Sequence, residues 1–220
     1  TTEIYTLSLH DALPIFPNDP GVDDGFGFSV ALFGDTAVIG AYLDDTPGLV
    51  DAGSAYVFVR SGTSWSQQQK LTASDADDGD RFGFSVCVWE DTAVIGAYRD
   101  DTTGSTVDAG SAYVFVRSGT SWSEQQKLTP SGPGTAGDRF GVSVAVDADT
   151  ALVGAYLDDP GGADAGSAYV FVRSGTSWSE QQKLVPSDPS GFNNFGRSVA
   201  LSGDSALVSS LMDDYAGLTD

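Results

Sequence analysis

Apolar and polar positions alternate along the chain in short, strand-length pieces separated by turns rich in Gly and Asp. In the first unit, Phe28–Phe33 reads as a strand that ends at Gly34-Asp35, a two-residue turn of the kind that closes a tight hairpin. Thr36–Tyr42 (TAVIGAY) follows, built of β-branched and small residues, and stops at an acidic loop. Ser54–Arg60 (SAYVFVR) then places Ala55, Val57 and Val59 on one face and Tyr56 and Phe58 on the other. Both faces are apolar, whereas a strand with one wet side alternates apolar with polar, so this strand must be covered above and below. A Ser-Gly-Thr turn leads to a fourth strand in which Trp65 and Leu71 bracket the polar run Gln67–Lys70, which suits a solvent-facing outer edge.

This unit repeats. Phe-Gly-x-Ser-Val begins at Phe26, Phe82, Phe140 and, as Phe-Gly-Arg-Ser-Val, Phe195, every 55 to 58 residues. Gly-Ala-Tyr-x-Asp-Asp follows at Gly40, Gly96 and Gly154 and decays to Ser209–Asp214 in the fourth copy. DAGSAYVFVRSGTSWS is letter-for-letter identical at 51–66, 108–123 and 164–179, and each copy leads into QQKL. Length differences fall after the Asp pair and before the next Phe-Gly, so those stretches are loops and the invariant blocks are the packed elements. Four antiparallel strands, covered on both faces and graded from small and apolar to polar, describe one blade of a β-propeller. A two-sheet sandwich would wet one face of each sheet, and a β-solenoid would need shorter repeats.

The expected fold is therefore all-β: a partial β-propeller with three full blades and half of a fourth. Blade 1 is expected at 25–73, blade 2 at 74–130, blade 3 at 131–187 and the first half of blade 4 at 188–220. Residues 16–24 read as the remnant of a preceding blade or loop. Thr1–Ile15 (TTEIYTLSLHDALPI) resembles the in-frame translation of a sequencing adapter and is set aside as non-native. The repeats agree, because FPNDP at 16–20 aligns with VPSDP at 185–189, whereas ALPI at 12–15 stands where QQKL should be.

Composition narrows the function. Acidic residues outnumber basic ones 31 to 10, a net charge of −21, and the cations are scattered singly. Nucleic acid is excluded on that ground, since phosphate binding needs clustered Lys and Arg. No apolar run approaches the length of a membrane span. The single cysteine, Cys87, excludes an intrachain disulfide framework and reads as a small buried thiol between Val86 and Val88. Setting aside Thr1–Ile15 also removes His10, the only histidine, so residues 16–220 hold no Ser-His-Asp or Cys-His arrangement.

The pairing of Phe-Gly-x-Ser-Val with a downstream Val-x-Gly-Ala resembles the FG-GAP repeat, the blade unit of the integrin α-subunit head and of many bacterial surface proteins. The resemblance runs from Gly25 to Asp214. It implies a seven-bladed ring of which this chain is a fragment, an extracellular or cell-surface location, a bacterial source and a non-catalytic role in adhesion or in binding a protein or glycan. The other reading is an accessory propeller of a larger secreted enzyme. Two departures stand out. The family's Gly-Ala-Pro is Gly-Ala-Tyr here, with Tyr42, Tyr98 and Tyr156. The acidic calcium loop between the first two strands is reduced to one Asp per turn, too few oxygens for the ion, so no metal site and no cofactor are carried over.

The candidate binding residues are three equivalent acidic loops: Asp44, Asp45 and Asp51; Asp100, Asp101 and Asp108; Asp158, Asp159 and Asp164. They read either as solvated Asp residues closing turns onto backbone N–H groups or as a calcium site, since oxygen ligands suit hard cations. Copying the same pair into every blade argues against a carboxylate acid/base couple. Asp75–Asp80 (DADDGD) resembles the start of an EF-hand loop with its Gly one position early and no closing Glu, and is read as a solvated connector. Phe26, Phe82, Phe140 and Phe195 read as inter-blade packing. Trp65, Trp122 and Trp178 leave two readings open, core packing or an exposed aromatic platform for a sugar or protein.

Overall fold

The computed structural model describes residues 4–5, 14–101, 107–132, 136–187, 189 and 191–212. Three four-stranded antiparallel sheets follow one another in chain order: β3 (Phe26–Phe33) to β6 (Ser64–Leu71), β7 (Phe82–Trp89) to β10 (Ser121–Leu128), and β11 (Phe140–Asp147) to β14 (Ser177–Leu184). Their inner partners are β4 (Thr36–Ala41) and β5 (Ser54–Ser61), β8 (Thr92–Ala97) and β9 (Ser111–Ser118), and β12 (Thr150–Ala155) and β13 (Ser167–Ser174). A fourth sheet contains β15 (Val199–Ser202) and β16 (Ser205–Val208), the first two strands of the next blade. At the other end β1 (Ile4–Tyr5) pairs with β2 (Pro14–Ile15). Among the described residues, no helix is long and apolar enough to cross a membrane.

Within a blade each strand pairs with the next in sequence, as expected for consecutive hairpins. The first strand starts two residues earlier than the apolar pattern suggests. Phe26 pairs with Ala41, the register then shifts, and Ser29 pairs with Gly40. This bulge is made possible by Gly27, at φ 88°. The hairpin turns put their first residue in the left-handed region even when it is not glycine, as at Glu90 and Ala148. The turn Asp is held by an arginine at the end of the third strand: Arg60–Asp35, Arg117–Asp91 and Arg173–Asp149 lie at 2.6, 2.5 and 2.6 Å.

The apolar cores lie between sheets. One cluster joins Val38, Ala55, Val57 and Leu71 of blade 1 to Phe82, Val86, Val88, Tyr113 and Phe115 of blade 2. The next joins Val94, Ala112, Val114 and Leu128 of blade 2 to Phe140, Val144, Val146, Tyr169 and Phe171 of blade 3. In β9, Ala112 and Val114 thus face blade 3 while Tyr113 and Phe115 face blade 1, which is why SAYVFVR carries no wet face.

The repeated motif is the hinge of that stacking. The Phe82 N–H donates to the Ala52 carbonyl at 2.9 Å, and the Ser29 hydroxyl donates to the Gly83 carbonyl at 2.7 Å. Both contacts recur between blades 2 and 3, Phe140 to Ala109 and Ser85 to Gly141. Gly83 sits at φ +87°, and a Cβ there would lie 2.1 Å from the Ser54 carbonyl oxygen. Only glycine fits a backbone approach this close.

Ile15, the last residue of the segment set aside above, is 4% exposed and packs with Ala37, Ile39, Tyr56 and Phe58 of blade 1. Residues 1–3 and 6–13 of the segment set aside above lie outside the described residues.

Candidate binding rim

The three acidic loops lie on one rim, each following the second strand of its blade, and the three Asp residues of each have separate tasks. The first is buried: Asp44, Asp100 and Asp158 are 3%, 2% and 6% exposed. Each faces a lysine from the outer strand of its own blade, with Lys70 2.7 Å from Asp44, Lys127 2.7 Å from Asp100 and Lys183 2.6 Å from Asp158. Two of these lysines also take a carboxylate from the preceding connector, Asp19 on Lys70 and Asp75 on Lys127, both at 2.7 Å. At Lys183 the equivalent connector residue is Gly132, and the side chain is correspondingly more exposed, 36% against 22% for Lys127. The reading of these first residues as solvated is therefore corrected. A carboxylate this deeply buried needs a charge partner, and the loop finds it on a strand distant in sequence.

Tyrosine and serine complete the arrangement. The Tyr113 hydroxyl donates to Asp75 at 2.8 Å and to Asp100 at 3.3 Å, and the Ser111 hydroxyl donates to Asp100. In blade 3 the Tyr169 hydroxyl donates to Asp158 at 3.0 Å. Burial opposes the charge on Lys70 and Lys127, but hydrogen bonds to their Asp partners outweigh it and raise both above the usual lysine value. Both stay cationic at any physiological pH.

The second Asp closes the loop. Asp45, Asp101 and Asp159 accept the backbone N–H of Asp51, Asp108 and Asp164 at 2.8, 2.7 and 2.7 Å. The third ties the loop to the next blade, Asp51 facing Arg81 at 3.1 Å and Asp108 facing Arg139 at 2.9 Å. At the last junction that arginine is Asn194, whose N–H donates to the Asp164 carbonyl. The tyrosines that replace proline lie under arginines: Arg81 over Tyr42, Arg139 over Tyr98 and Arg197 over Tyr156, at 5.8, 5.6 and 5.3 Å.

The residues present do not fit calcium. The inner carboxylates share lysine charges, and among the described residues no three His, Cys, Asp or Glu side chains converge to hold a metal ion. The platform reading of the tryptophans is also corrected for two of the three. Trp122 and Trp178 are 4% exposed, while Trp65 is half-buried. The Gln69 amide bonds both backbone groups of Trp122 at 2.8 Å, and the indole N–H donates to Gln68. Gln125 and Gln126 hold Trp178 in the same way. Sequence reading missed the three lysines and the paired glutamines. The signal was present, because QQKL recurs in register after every tryptophan and places one cation in a strand beside apolar ones.

A sequence model of the FG-GAP repeat matches residues 14–58, 65–115, 122–171 and 178–219. No curated protein sequence matches the chain. Among solved structures it is similar to Saccharomyces cerevisiae Sqt1, with 11% identity, a TM-score of 0.49 and coverage of 75% of this chain and 37% of that one. It is also similar to the computationally designed Ika4 protein, with 12% identity, a TM-score of 0.49 and coverage of 87% and 94%.

Proposed function

The chain belongs to the FG-GAP repeat family, and on that premise we propose that it is a non-catalytic extracellular or cell-surface module whose loop rim binds a protein or a glycan. The observation that carries this reading is a division of labour on the rim. The invariant carboxylates are engaged within and between blades, and the stretches between them, 46–50 and 160–163, are where length and composition change. A rigid scaffold presenting variable loops is a recognition design. The exposed Val50 at 62% and Val107 at 57% supply apolar contact on an otherwise acidic surface. The non-catalytic assignment draws support from the repetition, which copies each carboxylate into blade after blade where catalysis usually needs one asymmetric constellation.

Glycan and surface-protein arrays probed with the chain test this directly. A ligand whose binding is lost when residues 46–50 are replaced by Gly-Ser, with the melting temperature unchanged, is the expected result. Binding that survives replacement of both 46–50 and 160–163, or no ligand on either array, would overturn it.

A further inference from the structure

The junctions between successive blades repeat the same contacts, each joining the trailing face of one blade to the leading face of the next. The Ser29, Ser85 and Ser143 hydroxyls donate to the carbonyls of Gly83, Gly141 and Gly196 at 2.7, 2.8 and 2.8 Å. In the core, Val38 shares a cluster with Val86 and Val88, Val94 with Val144 and Val146, and Leu152 with Val199 and Leu201. Near the hairpin turns, Nη1 of Arg117 and of Arg173 donates to the Thr36 and Thr92 hydroxyls, both at 2.9 Å. The first strand of a blade lies against the first two strands of the blade before it, β7 against β3 and β4, and β11 against β7 and β8.

The two outermost faces of the stack hold the two halves of such a junction. On the leading face of blade 1, Val30 and Leu32 stand where Val86 and Val88 do, yet are 59% and 65% exposed. Arg60 holds Asp35 through Nε and Nη2, as Arg117 holds Asp91, but its Nη1 meets no hydroxyl, and no hydroxyl reaches the Gly27 carbonyl. On the trailing face of the half blade, Leu207 stands where Val38, Val94 and Leu152 do and is 73% exposed. Ser198 takes the place of Ser29, and Ser205 that of Thr36; both are exposed, and among the described residues neither hydroxyl has a partner. The open areas match as well. The half blade offers the two strands that a junction uses, β15 and β16. The second and third strands of blade 1 are already covered by Ile15, in register with Leu71, so the part left open is β3.

We propose that these two faces bind each other in trans, the trailing face of the half blade in one copy of the chain taking the leading face of blade 1 in a second copy, and that the same contact made twice closes a dimeric ring. The pairs this joins are Ser198 with the Gly27 carbonyl, Ser205 with Arg60, and Leu207 with Val30 and Leu32. Each chain spans four blade positions, three complete and one half, so two copies fill a ring at the upper end of the about four to eight blades that propellers hold. The contact is heterologous, one face against an unlike one, and closes rather than propagates when each copy spans half the ring. Burial of the three apolar side chains drives it. The charge of −21 on each copy opposes it and is screened by salt.

The test is the mass of the whole chain by light scattering across a range of protein concentration, in about 0.5 M NaCl to screen that charge. The expected result is a discrete species of twice the 22.8 kDa chain mass, weakened at least about tenfold by Leu32→Asp or by Leu207→Asp, since each places an unpaired carboxylate in the contact. Both positions are exposed in the single chain, so the dilute variants should melt with the dilute parent. Mixing the two variants should restore an association that neither shows alone, because the intact trailing face of one meets the intact leading face of the other. A monomer at every concentration, a mass that climbs past the dimer as protein is added, or a dimer that Leu207→Asp leaves intact would overturn the proposal. Should Leu207→Asp misfold, Ser205→Arg, exposed beside the hairpin turn and set against Arg60, gives the same reading.

Discussion

Blade 1 and blade 2 carry the same block, DAGSAYVFVRSGTSWS, and almost the same first two strands, yet their leading faces differ. In blade 2, Phe82, Val86 and Val88 are 0%, 9% and 6% exposed, whereas the matching Phe26 is half-buried and Val30 and Leu32 reach 59% and 65%. Trp122 is clasped by Gln68 and Gln69 of the blade before it, and Trp65, with no such pair ahead of it among the described residues, is half-buried. Local sequence is thus held nearly constant while exposure changes. What dries a blade is its neighbour, and the residues of the repeat motif are the means by which the neighbour attaches.

The largest break in this comparison is expected at the phenylalanines. Phe82→Ala should lower stability by about 3–5 kcal/mol, and Phe26→Ala by roughly half as much, because only the former empties a closed cavity. Denaturant melts of the two variants give the ratio, and equal losses would mean the two faces are equally covered. Next come the lysines. Lys127→Met leaves Asp75 and Asp100 without their cation and should cost about 3 kcal/mol, the low end for a broken buried pair. Lys183→Met, with one carboxylate and a wetter side chain, should cost clearly less in the same melts. Smaller again is the glutamine clasp. Gln69→Ala removes two hydrogen bonds to Trp122, about 1–2 kcal/mol, while Gln182→Ala, exposed on the trailing side of blade 3, should be neutral. Calcium defines the lower limit, since millimolar calcium or chelator should leave the melting temperature unmoved. A rise on adding calcium would show that the rim carboxylates have oxygens to spare after all.

The strands, their antiparallel order and the radial stacking were legible because the chain states them repeatedly and because SAYVFVR has no wet face to offer. The rim chemistry was only partly legible. Adjacent Asp residues in a loop read alike, and what separates Asp44 from Asp45 is a lysine that reaches it across the sheet from the fourth strand. Asp80 was hidden too: in a run of acidic residues and glycine it reads as solvated, yet it is 3% exposed. Trp122 and Trp65 share their flanking residues, so no local pattern could separate a clasped indole from a half-open one.

Hydroxyl-radical footprinting of the intact chain measures the central comparison most directly. Trypsin releases Trp65 in SGTSWSQQQK and both Trp122 and Trp178 in SGTSWSEQQK, peptides that differ at a single residue and report oxidation at chemically equivalent indoles. The neighbour-covered tryptophans should oxidise several-fold more slowly than Trp65 in the folded chain and at the same rate in denaturant. Equal rates in the folded chain would contradict the claim that one blade keeps the next one dry.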